Sequence, residues 1–157
     1  MYQLRGQRVT ATSEEIIRRN AIAFCNVFGF KPKKSRRKRY DQNLESLSIY
    51  NITLNPVADL EWSAATYGSI VGHYDPHSAT ISIPEHIYID ACAGDRNALS
   101  IVFHEIGHLL LGHQAALHFS TSPAIEAEDA EWQADSFAEY ALQYLGYESR
   151  QLSFEFY

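Results

Sequence analysis

The chain has 157 residues, a formal net charge of −6, 46% apolar and 20% charged side chains, the make-up of one globular domain with a core of its own. No apolar run approaches the roughly 18 residues of a membrane span, and no apolar stretch follows Met1-Tyr2-Gln3-Leu4-Arg5 to act as a secretory signal. Cys25 and Cys92 lie far apart without a CxxC, so they read as free thiols, and cytoplasm is the expected location.

Charge is spread unevenly. The stretch 31–39 holds seven of the thirteen basic residues, whereas from Tyr40 onward only Arg96 and Arg150 are basic, against seventeen acids. The basic run has no interleaved aromatics and no motif. A solvated loop is the expectation; contact of Lys33–Arg39 with a nucleic-acid backbone or an acidic partner is the alternative.

Residues 1–11 read as an extended lead-in. Thr12-Ser13-Glu14-Glu15 reads as a capping box with Thr12 as the cap. It opens an amphipathic helix over 12–29, with Ile16, Ile17, Phe24, Val27 and Phe28 at three-to-four spacing and Gly29 as its stop. Phe30-Lys31-Pro32 and the basic run come directly after it in place of a second short helix, so no helix-turn-helix module is expected. Residues 44–54 carry β-branched side chains and read as a strand ending at Asn55-Pro56. Residues 58–66, around Leu60 and Trp62, fit either a short helix or a loop. Tyr67–Tyr74 and Thr80–Ile83 read as strands flanking the turn Asp75-Pro76-His77-Ser78. Gly68 and Gly72 suggest a bulge or a close backbone approach in the first of these. Pro84–Gly94 reads as a short helix. Asp95 caps a helix over 95–112, and after a polar loop a last long helix covers 124–146. The tail 147–157 ends in aromatic residues and is expected to pack back. The order implies a single α+β domain over 1–157, with a small, mostly antiparallel sheet in 44–83 packed with helices.

The chemistry concentrates in His104-Glu105-Ile106-Gly107-His108, an H-E-x-x-H set between Ile101-Val102-Phe103 and Leu109-Leu110-Leu111. On a helix, residues four apart share a face, so His104 and His108 can bind one divalent ion while Glu105 reaches a water beside it. Alone, the pattern also fits a helix whose histidines pack or cap. A third ligand decides between the two. The last helix offers several acids beside its apolar stripe of Ala127, Ala130, Ala134, Phe137, Ala138, Ala141 and Leu145. Glu131 and Asp135 are four apart and flank that stripe, with Glu128 on the same side. Glu131 can complete a His₂Glu set, and Asp135 can accept the outer ring N–H of a ligand histidine. The metzincin pattern H-E-x-x-H-x-x-G-x-x-H does not fit, because Gly112 and His113 each stand one place off; His113 reads as a helix-end residue. His73, His77 and His86 read as turn or surface residues. Tyr140, Tyr144 and His118 are candidates for stabilising a transition state.

The run His104-Glu105-Ile106-Gly107-His108-Leu109-Leu110-Leu111-Gly112-His113, followed by Glu131-Trp132-Gln133-Ala134-Asp135-Ser136-Phe137-Ala138, resembles the ImmA/IrrE family of bacterial and phage zinc peptidases. That family pairs H-E-[LIF]-G-H-x-L-L with a later E-x-[QE]-A-[ND]-x-F-A. The resemblance is specific over 104–138. It implies a zincin-like, gluzincin-type site: one zinc ion per chain on His104, His108 and Glu131, Glu105 as general base, and Asp135 behind a ligand histidine. Members cleave helix-turn-helix repressors of mobile elements and stress regulons, or relieve their action, so a protein substrate of that kind is expected. A peptide is expected to add as a strand to a sheet edge, with Thr80–Ile83 as the candidate. The reading that follows is a zinc endopeptidase. Its rivals are a non-proteolytic binding module that sequesters a repressor around a structural metal, and a nucleic-acid-associated factor.

Overall fold

The computed structural model describes residues 1–32, 39–66, 70–113 and 122–148. Six helices and a three-stranded mixed sheet make an α+β arrangement among them. The first helix, α1, spans Glu14–Val27 and buries Ile17, Ala21, Phe24 and Cys25 along one face. Its cap is Ser13, not Thr12: the Ser13 side chain accepts from the Ile16 N–H. Both residues can cap a helix, and the backbone turns one residue later than the capping-box spacing suggests.

The expected strand over 44–54 is mostly helical. An α-helix, α2, covers Asp41–Glu45, and a 3₁₀ segment covers Ser46–Tyr50. Leu44 and Leu47, three apart, are buried, while Ile49 and Tyr50 are exposed. The burial period is that of a helix, which outweighs β-branched content. Asn51, at φ 62°, turns the chain into strand β1, Thr53–Val57. Pro56 sits inside this strand, tolerated because β1 lies at an edge of the sheet.

A helix, α3, spans Asp59–Thr66, resolving the open stretch in favour of helix. Strand β2 is short, His73–Asp75, and β3 covers Thr80–Pro84. Between them Asp75 accepts from the His77 N–H and the Ser78 hydroxyl, closing the turn. The order is β1-β3-β2, with β1 parallel and β2 antiparallel to β3. The sheet is therefore not mostly antiparallel; the chain passes through α3 to the far edge strand β2, and the β2–β3 hairpin then brings β3 back beside β1 in the same direction. It also makes β3 the central strand, hydrogen-bonded on both sides, so Thr80–Ile83 has no edge to offer a peptide. The edge strand near the H-E-x-x-H segment is β2.

Helix α4 spans Glu85–Cys92, α5 spans Arg96–Leu110 and α6 spans Ala130–Tyr144. Asp95 caps α5 by accepting from the Ala98 N–H. Helix α6 begins six residues after the expected start at 124, because Asp129 is extended and caps it, accepting from the Glu131 N–H. Before it lies only a 3₁₀ turn, Glu126–Glu128.

Helices α1, α5 and α6 pack on one another and bury the main core. Phe24 lies 5.7 Å from the rings of both Phe103 and Phe137, and Phe30 lies 5.4 Å from Phe24 and Phe103. Each such side chain contributes about 1.5–3 kcal/mol on burial, so this cluster holds α5 and α6 in fixed register. Gly107 sets how closely they approach: a β-carbon there would stand 3.1 Å from Phe137 Cβ. The lead-in 1–11 lies across the start of α6, with the Val9 N–H donating to the Glu128 carbonyl at 2.7 Å. Among the described residues no helix is long and apolar enough to cross a membrane. Most of the basic run (33–38), Gly68, His118 and most of the tail (149–157) lie outside the described residues.

Candidate metal centre

Helix α5 presents His104 and His108 one turn apart on the face turned to α6, and the first turn of α6 presents Glu131. Their ligand atoms all lie within 4.8 Å of one another. His104 Nε2 is 3.0 Å from His108 Nε2, and Glu131 Oε2 is 2.8 Å and 3.4 Å from the same two nitrogens. Two imidazole nitrogens and a carboxylate oxygen converging at these separations fit a divalent ion, and this group can hold one.

Each histidine is tethered through its other nitrogen. His104 Nδ1 meets Asp135 Oδ1 at 2.7 Å, and Asp135 Oδ2 is paired with Arg5 at 2.9 Å. His108 Nδ1 meets His113 Nδ1 at 2.8 Å, and His113 Nε2 meets Gln133 Oε1 at 2.7 Å. Tyr74 stacks on His108, with ring centroids 4.9 Å apart and 8° between planes, and its hydroxyl donates to the His113 carbonyl. His113 is a helix-end residue, but a buried one, 4% exposed. Gly112 takes φ +64° and the His113 N–H returns to the His108 carbonyl, so the chain folds back onto the last turn of α5.

Glu105 is 8% exposed and lies against Gly72, where a β-carbon would stand 3.0 Å from Glu105 Oε1. The close backbone approach expected at Gly72 is thus aimed at the carboxylate, in the residue just before β2. On the opposite side Gly6 packs on Glu131; a β-carbon there would fall 2.6 Å from Glu131 Cγ. Gly6 is held by Asp129, whose carboxylate accepts from the Tyr2 hydroxyl and from the Arg5 and Gly6 N–H groups. These contacts enclose a cleft of about 530 Å³, lined by Gly6, Gly72, His73, Tyr74, Glu105 and Glu131 among others.

Burial alone would lower His104, but its hydrogen bonds to Asp135 and Glu131 overrule it and raise the ring to about 9. The hydrogen bond from His104, first of all, holds Glu131 far below the usual carboxylate range. Burial pushes Glu105 upward, the direction that suits a proton acceptor. Burial also drives His113 down to about 4.

The residues singled out in the sequence divide clearly. His104, Glu105, His108, Glu131 and Asp135 come together. Glu128 does not join them; it pairs with Arg8. Tyr140 and Tyr144 are not among the cleft residues, and Tyr144 donates instead to Asn26. His77 is exposed in the turn and His86 pairs with Asp59, as surface residues do; His73 is exposed too, and it also lines the cleft. Sequence reasoning missed Tyr74, His113, Gln133 and Gly6. Of these, only His113 carried a signal: a histidine directly after a helix-terminating glycine is returned to the final helical turn.

No protein-family model, no curated protein and no solved structure matches this chain.

Proposed function

We propose that the chain is a zinc-dependent endopeptidase with a zincin-like domain of the ImmA/IrrE kind, acting on a protein substrate. The motif resemblance points to a helix-turn-helix repressor as that substrate. The observation that carries the reading is the convergence of His104, His108 and Glu131 beside the buried Glu105, in one cleft. Two histidines and one carboxylate are the donor set of catalytic zinc, and they would hold the ion through Nε2, Nε2 and Oε2. When bound, zinc supplies Lewis acidity, acidifying a water and polarising a peptide carbonyl.

The chain's own residues do the rest. Glu105 takes a proton from the attacking water and returns it to the leaving amide nitrogen. Its burial, with Gly72 packed against it, raises its affinity for that proton. Asp135 holds the His104 ring in one orientation through Nδ1. β2, at the end of the sheet, contributes His73 and Tyr74 to the cleft wall, and an extended peptide laid along it would pass Glu105.

The test is Glu105→Gln. It keeps the shape of the side chain and removes its basicity, so zinc content stays at one per chain while hydrolysis of a repressor panel falls by at least about 10²-fold. Undiminished cleavage by that variant overturns the reading.

A further inference from the structure

The hydrogen bonds behind His108 have a direction that can be read from their far end. Gln133 is 1% exposed, and its Nε2 lies 2.9 Å from the Thr10 carbonyl and 2.7 Å from the Ala127 carbonyl. Carbonyl oxygens only accept, so this end of the amide is the NH₂ group; the flipped amide would set three oxygens against each other. Gln133 Oε1 therefore faces His113 Nε2, at 2.7 Å, and Nε2 must carry the hydrogen. His113 is buried and, among the described residues, has no carboxylate as a hydrogen-bond partner, so the ring is neutral and its Nδ1 is bare. His108 Nδ1, 2.8 Å away, is then the donor. In the neutral His108 ring, the remaining lone pair is then at Nε2, the atom facing His104 Nε2 and Glu131 Oε2.

We infer that His113 and Gln133 are positioning residues that lock His108 in the Nδ1–H tautomer, leaving Nε2 free to take a metal ion. The inference rests on the metal-site reading above. It gives the two ligand histidines different supports: a carboxylate behind His104, and a neutral histidine–amide relay behind His108. The relay starts at the Thr10 carbonyl, so the lead-in segment takes part in setting the site. Stacking of Tyr74 on His108 fixes the ring plane, and the relay fixes which nitrogen carries the proton.

Two measurements test this on the full chain. The first is the histidine tautomer pattern of the metal-free protein by long-range ¹⁵N NMR: the expected result is Nδ1–H at His108 and Nε2–H at His113, and the reverse pattern overturns the inference. The second is zinc affinity by chelator competition for the parent, His113→Phe and His113→Asn. Phe keeps the ring and loses the acceptor, so affinity is expected to fall about 10–100-fold. Asn keeps an acceptor oxygen near the Nδ1 position and is expected to stay within a few-fold of the parent. Packing alone predicts the opposite order, and unchanged affinity in His113→Phe overturns the relay while leaving the metal site standing. A parent that binds no zinc overturns the metal-site reading itself. Should both variants fail to fold, the tautomer pattern of the parent decides.

Discussion

Asp135 and His104 meet at 2.7 Å, Oδ1 to Nδ1, across the interface of α5 and α6, and this contact turns His104 Nε2 toward Glu131. Asp135 is half exposed and contributes little to the core. Asp135→Ala is therefore expected to fold normally and to bind zinc about 10–100-fold more weakly, by chelator competition. Parent-like affinity would remove Asp135 from the site.

The same contact makes metal-free stability depend on pH. The His104 ring stands at about 9, above its ordinary 6.5, so the folded chain binds its proton more tightly than the unfolded chain does. That contribution is fully present below about 6.5 and is lost as pH rises through 9. Glu131 is shifted the other way, so its contribution is present above its ordinary 4.5 and is lost as pH falls below that. Metal-free protein is expected to be most stable between these limits and to lose on the order of 2–3 kcal/mol from His104 between pH 6.5 and 9, by urea titration. Zinc competes with the same proton, so the stabilisation zinc adds is expected to grow over that interval. A flat metal-free profile from 6 to 9 would contradict the charge pairing.

Gly107 is fitted to Phe137. A methyl group there would press on Phe137 Cβ and ring carbons at 3.1–3.2 Å, and Phe137 is fully buried against Phe24. Gly107→Ala would gain about 1 kcal/mol of helix propensity, but overpacking typically costs about 1–3 kcal/mol. The net expectation is a loss of up to about 2 kcal/mol in chemical denaturation. A more stable variant would show that Phe137 can yield.

Gly6 bears on the site rather than the core. A β-carbon there would overlap Glu131 Cγ, at 2.6 Å, and Gly6 lies in the lead-in segment, outside the helix core. Gly6→Ala is expected to weaken zinc binding by about tenfold, the size of a supporting-residue effect, with little change in Tm. A large fall in Tm with unchanged affinity would contradict this placement.

Much of the site was legible because its parts are local. The spacing of His104 and His108 holds on any helix, and Asp135 follows Glu131 by one turn, so the ligand geometry needs only α5 and α6 to face each other. Contacts across long sequence separations were not legible. Nothing around Gln133 indicates that its amide is anchored on Thr10, 123 residues away, or that Gly6 rests on Glu131. Tyr74 and His73 sit on a three-residue strand too short for a period to show. The strand expected over 44–54 failed for a different reason: Ile49, Ile52 and Thr53 favour extended backbone, while burial of Leu44 and Leu47 at a spacing of three selected a helix.

Anomalous diffraction at the zinc edge, on crystals of the zinc-loaded chain, tests the central claim most directly. The account predicts one strong peak about 2.0–2.2 Å from His104 Nε2, His108 Nε2 and a Glu131 oxygen, with His113 outside the coordination shell. No peak at this cluster, or a peak bound by His113 in place of Glu131, would contradict it.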